Sequence, residues 1–431
     1  MPACLLLALM VLSATLAHGE AVAWHRAWWY DGTTFAYGTR YAVDGVFVDG
    51  APARIDRSMD LANGWAVPAY GDAHHHGIDS ADALADKVTV FLEAGIFYVK
   101  NPNVIPDFLT PAVRAALNRP GSIDIVFANG GLTSPGGHPV PLHRYLATLG
   151  VFKGLGPEDM ENRAYFTIAS EAELAAKWPG IVAGRPDFIK TFLLFSEEYE
   201  GVPPLRRETD GEPNRGLDPK LLVAIVAKAH AAGLRVSTHV DTARDFANAV
   251  DAYVDEINHL PQPDQRFSPD LSAYVIDRAT AELAARRGIR VVTTASTTER
   301  LSPSLPKEWL PAMRDNQRAN LRTLLAAGVK VAIGSDNIQG ERRFVTARDE
   351  VRFIARHHLM GNEEILHAWS VETPRAIFPD RHVGGLAPGD EASFVVLARD
   401  PRADAENLHH ITMRVQRGKL LPGLPAFRLV R

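Results

Sequence analysis

Hydrophobic and polar positions change rhythm twice along this chain. From residue 23 to residue 68, short alternating segments are broken by the turn dipeptides Asp31-Gly32, Asp44-Gly45 and Asp49-Gly50, the pattern of β-hairpins. The same style returns at the other end, in residues 392–397 and 411–417 and a turn at Pro422-Gly423. Between these ends, short apolar runs alternate with stretches of helical period. Eight runs read as strands: 65–73, 96–100, 123–128, 188–195, 235–239, 256–259, 290–295 and 330–335. Helical patterns at 219–232, 279–287 and 316–327 stop near Gly233, Gly288 and Gly328, as glycine closes a helix well. Strands alternating with helices predict an α/β chain folded as a parallel (β/α)8 TIM-type barrel. The barrel is expected over residues 69–383, and a small β-sandwich over 20–68 and 384–431, formed from both chain ends.

The first nineteen residues stand apart. Residues 5–16 are apolar and nearly uncharged, and Ala17-His18-Gly19 follows with a small-x-small pattern. That is the form of a secretory signal peptide, although no Lys or Arg precedes the apolar stretch. Residues 1–19 are therefore expected to be removed on export, leaving a periplasmic or secreted protein. Cys4 is the only cysteine, so a mature chain would carry no disulfide. No later stretch is long and apolar enough for a transmembrane helix, so stable membrane insertion is not expected.

Composition changes this picture little. The chain has 431 residues, 46% apolar and 23% charged, enough for a large domain with ordinary globular content. Its formal charge of −5 gives no electrostatic reason to expect nucleic acid as a partner. A small-molecule substrate fits better, and a homo-oligomer stays open.

Six residues carry the chemistry. They are His74 and His76 in GDAHHHG, Lys190 in DFIKTFLLF, His239 in RVSTHV, His259 in DEINHL and Asp336 in VAIGSDN. Each closes a short apolar run of strand type. Residues i and i+2 of a strand share a face, so His74 and His76 should converge, Asp72 beside them, while His75 points away. Imidazoles with a carboxylate suit zinc or a similar divalent ion, and an open coordination position would make the site catalytic. In a barrel these groups would collect at the carboxyl ends of strands, where active sites of that fold lie.

These residues resemble the amidohydrolase superfamily, in particular its imidazolonepropionase-like and prolidase-like members. The likeness runs from Pro68 and Asp72-Ala73-His74-His75-His76 through Asp187-Phe188-Ile189-Lys190 to Ala229-His230-Ala231-Ala232-Gly233 and His239. It continues with His259, Gly334-Ser335-Asp336, Thr373-Pro374-Arg375-Ala376 and Gly385-Leu386-Ala387-Pro388-Gly389-Asp390. The resemblance implies a metal-dependent hydrolase in which His74 and His76 bind the more buried ion and His239 and His259 the more exposed one. It further implies that Asp336 binds the buried ion and shuttles a proton, and that carboxylated Lys190 bridges two ions, zinc by donor type. The competing reading of Lys190 is an uncharged or salt-bridged lysine beside a single metal.

Substrate selection is less legible. Ser134-Pro135-Gly136-Gly137-His138 resembles a Gly-Gly-His stretch that lines the substrate pocket in prolidase-like relatives, so His138 is a candidate substrate contact. Tyr199 is a weaker one. Residues 200–219 are rich in Pro, Gly and charge and read as a lid or a solvated loop. The leading expectation is hydrolysis of a C–N amide bond, in a dipeptide or N-acyl amino acid. The alternatives are a one-metal cyclic-amide hydrolase or deaminase, an esterase, lactonase or phosphotriesterase on the same ions, and a non-catalytic metal-binding scaffold.

Overall fold

The computed structural model describes residues 19–201, 215–262, 271–300, 307–337 and 344–421. The expected signal segment up to residue 18, with Cys4, most of the 200–219 loop and the Pro422-Gly423 turn lie outside the described residues.

The chain opens with β1 (Ala21–Tyr30), β2 (Phe35–Val43), β3 (Val46–Val48) and β4 (Arg57–Pro68). Next come β5 (Tyr70–Asp72), β6 (Ile96–Asn101), β7 (Asp124–Phe127), β8 (Gly131–Thr133) and β9 (Tyr165–Thr167). They lead to β10 (Phe188–Phe192), β11 (Arg235–His239), β12 (Glu256–Asn258), β13 (Arg290–Thr293) and β14 (Lys330–Ile333). The last are β15 (Phe394–Leu397), β16 (Ile411–Gln416) and β17 (Lys419–Leu420).

Strands β5 to β14 pair in parallel, in one sheet ordered β5-β6-β7 and another ordered β14-β13-β12-β11-β10-β8-β9. The three-stranded sheet meets the seven-stranded one at both of its own edges, β5 beside β14 and β7 beside β10. Ala73 N donates to Ile333 O (2.9 Å) and Asp336 N to His74 O (2.7 Å); at the other edge Asp187 N donates to Phe127 O (2.8 Å), and Ala128 pairs with Phe188. The expected strand runs each overlap one of these strands. The run 65–73 is split at Ala69, its first part belonging to β4, and β8 and β9 are additions in the segment after β7. Most of these strands are short and buried along their length, and they read as apolar runs because both faces are covered.

The helices end where glycine lets them. Pro219–Ala231 begins with Asp218 accepting from Lys220 N, and Gly233, Gly288 and Gly328 follow the expected helices at φ of 73°, 69° and 83°, a conformation glycine adopts at little cost.

The ends of the chain form one sheet, ordered β17-β16-β15-β4-β1-β2-β3, in which β1 runs antiparallel to β2 and parallel to β4. Phe47 on the edge strand β3 packs against Phe394 on β15 at 5.9 Å, and Trp24 and Trp29 meet Phe394 at 5.2 and 5.3 Å. Strands four places apart touch because the sheet curls around its own apolar core. The expected sandwich is thus a single curled sheet drawn from both ends.

Candidate active site

His74 and His76 converge, but on the turn just beyond β5 rather than within it. Their Nε2 atoms stand 3.2 Å apart, and Asp336 Oδ1 lies 3.4 Å from the first and 3.3 Å from the second. These three potential ligand atoms fall within 4.8 Å of one another. Gly334 allows the approach: a Cβ there would meet His74 Cβ at 2.7 Å.

Alternation along the parallel strands builds the rest. Lys190 and Phe192 on β10, Ser237 and His239 on β11, and Glu256 and Asn258 on β12 are i, i+2 pairs sharing a face. Strict alternation would turn His259 outward. Instead its backbone takes φ of 76°, and Asp336 takes 47°, left-handed conformations that cost a non-glycine residue about 1–3 kcal/mol. The turn brings the His259 ring to 4.4 Å from His239 and 4.8 Å from His74. His259 Nδ1 is tied to Thr294 Oγ1 at 2.7 Å, and His239 Nε2 lies 3.1 Å from Asp241 Oδ1. Such partners fix ring orientation in ligating histidines.

Lys190 Nζ donates to Asn258 Oδ1 at 2.5 Å. Asn258 also accepts from Ser237 Oγ (2.8 Å) and donates to Glu256 Oε1 (3.0 Å). Glu256 in turn pairs with Lys100 Nζ at 2.9 Å, both side chains buried. This network under Lys190 was not read from the sequence. The available signal was a lysine and a glutamate embedded in otherwise apolar strands.

Burial dominates the electrostatics. It lowers the Lys190 amine to about 7, with Asp336 and Glu256 opposing, and His239 to about 3. Burial also pushes His74 and His259 well below the usual histidine value, so these imidazoles keep their lone pairs at neutral pH. Asp336 goes the other way for a carboxylate. Burial would raise it, but the hydrogen bond from His76 and the neighbouring imidazoles of His74 and His259 hold it well below its ordinary range.

Asp72 does not join the cluster. Its carboxylate accepts from Ser335 N and Ala347 N, both at 2.9 Å, satisfying buried amides that would otherwise be orphaned. It therefore fixes the turn that carries Asp336. His75 points away as expected, bonding Ser335 Oγ at 3.1 Å and packing on Phe91 and Phe344.

The six residues open on one cavity of about 180 Å³. His138 lines it, stacked on His239 at 5.3 Å and set edge-on to Phe192 at 5.4 Å. Tyr199 is not among the described lining residues. Its hydroxyl donates to Gly216 O at 3.0 Å and its ring lies under Arg215, because the left-handed Phe195 and the turn Ser196–Glu200 lead the chain aside. Tyr199 thus props the chain near residue 216. Helix Val140–Thr148, just after the Gly-Gly-His stretch, adds an apolar wall.

A family model described as the amidohydrolase family matches residues 184–420, more than half of the chain. The chain belongs to the amidohydrolase family. The match spans Lys190, His239, His259 and Asp336, and membership makes the protein a hydrolase of carbon–nitrogen bonds. Members of this family generally use a divalent metal, for which the His74, His76 and Asp336 group offers a site. No curated protein matches the sequence. Among solved structures, the chain is similar to A. niger ochratoxinase at 18% identity and TM-score 0.71, covering 94% of this chain and 96% of that one. It is also similar to a prolidase complexed with N-methylphosphonate-L-proline, at 20% identity and TM-score 0.69, covering 93% and 99%. A Xaa-Pro dipeptidase with methionine bound in its active site aligns at 17% identity and TM-score 0.69, covering 94% and 100%. At these identities the likeness establishes the fold.

Proposed function

We propose that this amidohydrolase holds two divalent ions, zinc by donor type, and cleaves the amide bond of a dipeptide or N-acyl amino acid. The ions would be bridged by carboxylated Lys190. The observation that carries the reading is the meeting of His74, His76, Lys190, His239, His259 and Asp336 on one cavity. The contacts of the three-stranded sheet, β5 to β14 and β7 to β10, support a closed (β/α)8 barrel with this cluster at its carboxyl end.

The residues fit such ions. His74, His76 and Asp336 present ligand atoms 3.2–3.4 Å apart, and burial keeps the imidazoles of His74, His239 and His259 unprotonated, as ligation requires. Lys190 fits a bridge once carboxylated. Its amine, lowered to about 7, is substantially neutral near pH 7 and can attack carbon dioxide. The new N–C bond forms with loss of a proton, and the remaining N–H can still donate to Asn258. His74 and His76 with Asp336 would hold the more buried ion, and His239 and His259 the more exposed one.

Bound divalent ions supply the Lewis acidity that makes water nucleophilic near neutral pH and polarises a carbonyl. The chain's own groups do the rest. The Asp336 carboxylate takes the proton of the attacking water and gives it to the leaving nitrogen as the C–N bond breaks. Asp72 keeps Asp336 in place through the amides of Ser335 and Ala347. His138, stacked beside His239, is placed to donate to the substrate carbonyl or to a substrate carboxylate.

His138→Ala should lower kcat/KM on a dipeptide roughly ten- to hundredfold, the weight of a lost hydrogen bond to a charged group, while metal content stays unchanged. The penalty should shrink when the substrate's carboxylate is amidated, if that carboxylate is the partner. Wild-type rates on both substrates would remove His138 from recognition and the dipeptide preference with it.

A further inference from the structure

The histidine cluster forms one side of the cavity; much of the other is apolar. Val104 and Ile105 beyond β6, Leu142 and Leu146 on helix Val140–Thr148, and Phe152 after it face the space. Leu142 and Leu146 lie four residues apart and so share one face of the helix, and both remain partly exposed. The wall is preformed. Ile105, Val140, Ala147, Phe152, Met160 and Tyr165 make a separate core behind it, so it does not depend on a ligand for its shape.

Besides His138 and the six cluster residues, three polar side chains line the cavity: Asp79, Asn103 and His143. His143 lies on the same helix, edge-on to Phe152 at 5.5 Å and alongside Tyr165 at 6.1 Å. Its Nδ1 is buried without a hydrogen-bond partner among the described residues. Burial lowers the imidazole to about 3, so at neutral pH it offers hydrogen bonding rather than charge. An unpaired buried acceptor is tolerated better than an unpaired buried N–H. The proton therefore favours Nε2, leaving that nitrogen as the donor.

Resting on the hydrolase reading above, we propose that this wall is the subsite for one flank of the scissile amide. It takes an uncharged apolar group of leucine or phenyl size, with His143 as the polar contact at its side. The cavity of about 180 Å³ is smaller than the roughly 300–1,000 Å³ that hold drug-sized ligands. It has room for a reacting amide and one compact apolar group. An acidic side chain would lose its hydration against Val104, Leu142 and Leu146, and the Asp79 carboxylate on the same cavity would repel it.

The test uses the metal-loaded enzyme and two dipeptide series in which one flank at a time runs through Gly, Ala, Leu, Phe, Lys and Asp. At one flank, kcat/KM should rise about a hundredfold from Gly to Leu or Phe, following the free energy of burying a few methylenes, and Asp should fall below Gly. Leu146→Asp should reduce the Leu-to-Gly ratio at least tenfold; Leu146→Ala, which adds no charge, should reduce it less and serves if the first variant fails to fold. His143→Phe should lower kcat/KM for a flank bearing a hydrogen-bond acceptor while sparing phenyl. Equal kcat/KM along both series, with the Gly members turned over, overturns the subsite and leaves the hydrolase reading standing. A Leu-to-Gly ratio unchanged in folded Leu146→Asp also overturns it. No turnover of any member by protein carrying its full complement of ions overturns both.

Discussion

Asp336→Asn lowers turnover by about 10²–10⁴-fold, the usual weight of a general acid–base group, and weakened metal binding adds to the loss. The substitution keeps size and shape, so the fold should survive. The buried contacts that hold this turn come from elsewhere: Asp336 N to His74 O, and Asp72 to the Ser335 and Ala347 amides. The backbone at φ of 47° is one that asparagine tolerates better than most residues. The expected readout is a large fall in kcat with an unfolding midpoint close to wild type. Near-normal turnover on any good substrate would take Asp336 out of the mechanism.

Lys190→Met is the second large effect. It keeps the apolar stem and removes the nitrogen that would be carboxylated. The variant should bind at most one ion per chain and lose about 10²–10⁴-fold in kcat/KM, since charge stabilisation by a second ion is worth several kcal/mol. Stability should move differently. Burial lowers the amine to about 7, so folding carries the cost of desolvating it, whereas methionine is readily buried. Asn258 Oδ1 keeps its bond from Ser237 Oγ. The metal-free variant should therefore unfold at a temperature no lower than metal-free wild type. Two ions per chain in Lys190→Met would rule out a bridging role.

The parts of this site readable in sequence are those governed by local rules. The i, i+2 spacing pointed to the meeting of His74 and His76, although a turn beyond β5 carries them rather than a strand, and the helix-ending glycines 233, 288 and 328 marked the joints between helices and strands. What escaped depends on the chain leaving those rules. His259 stands out in the sequence at the end of an apolar run, yet no periodicity announces the left-handed turn at His259 itself that brings its ring to the cavity. Asp72 fits the alternation that places it beside His74, yet buried amides of Ser335 and Ala347 claim its carboxylate. Lys100 lies 156 positions from Glu256 and Lys190 lies 68 from Asn258, so this network joins strands distant in sequence. Helix Val140–Thr148 starts directly after Pro135-Gly136-Gly137-His138-Pro139, residues that interrupt any helical pattern. Likewise, that the two chain ends make one curled sheet depends on Phe47 meeting Phe394, a contact between residues 347 positions apart (394 − 47).

The most direct test of the two-ion account is metal analysis of the purified protein, paired with a dipeptide assay before and after chelation. The account predicts close to two divalent ions per chain, hydrolysis lost with them, and recovery on adding zinc with bicarbonate to restore the lysine carbamate. Full turnover by protein holding one ion or none would contradict it.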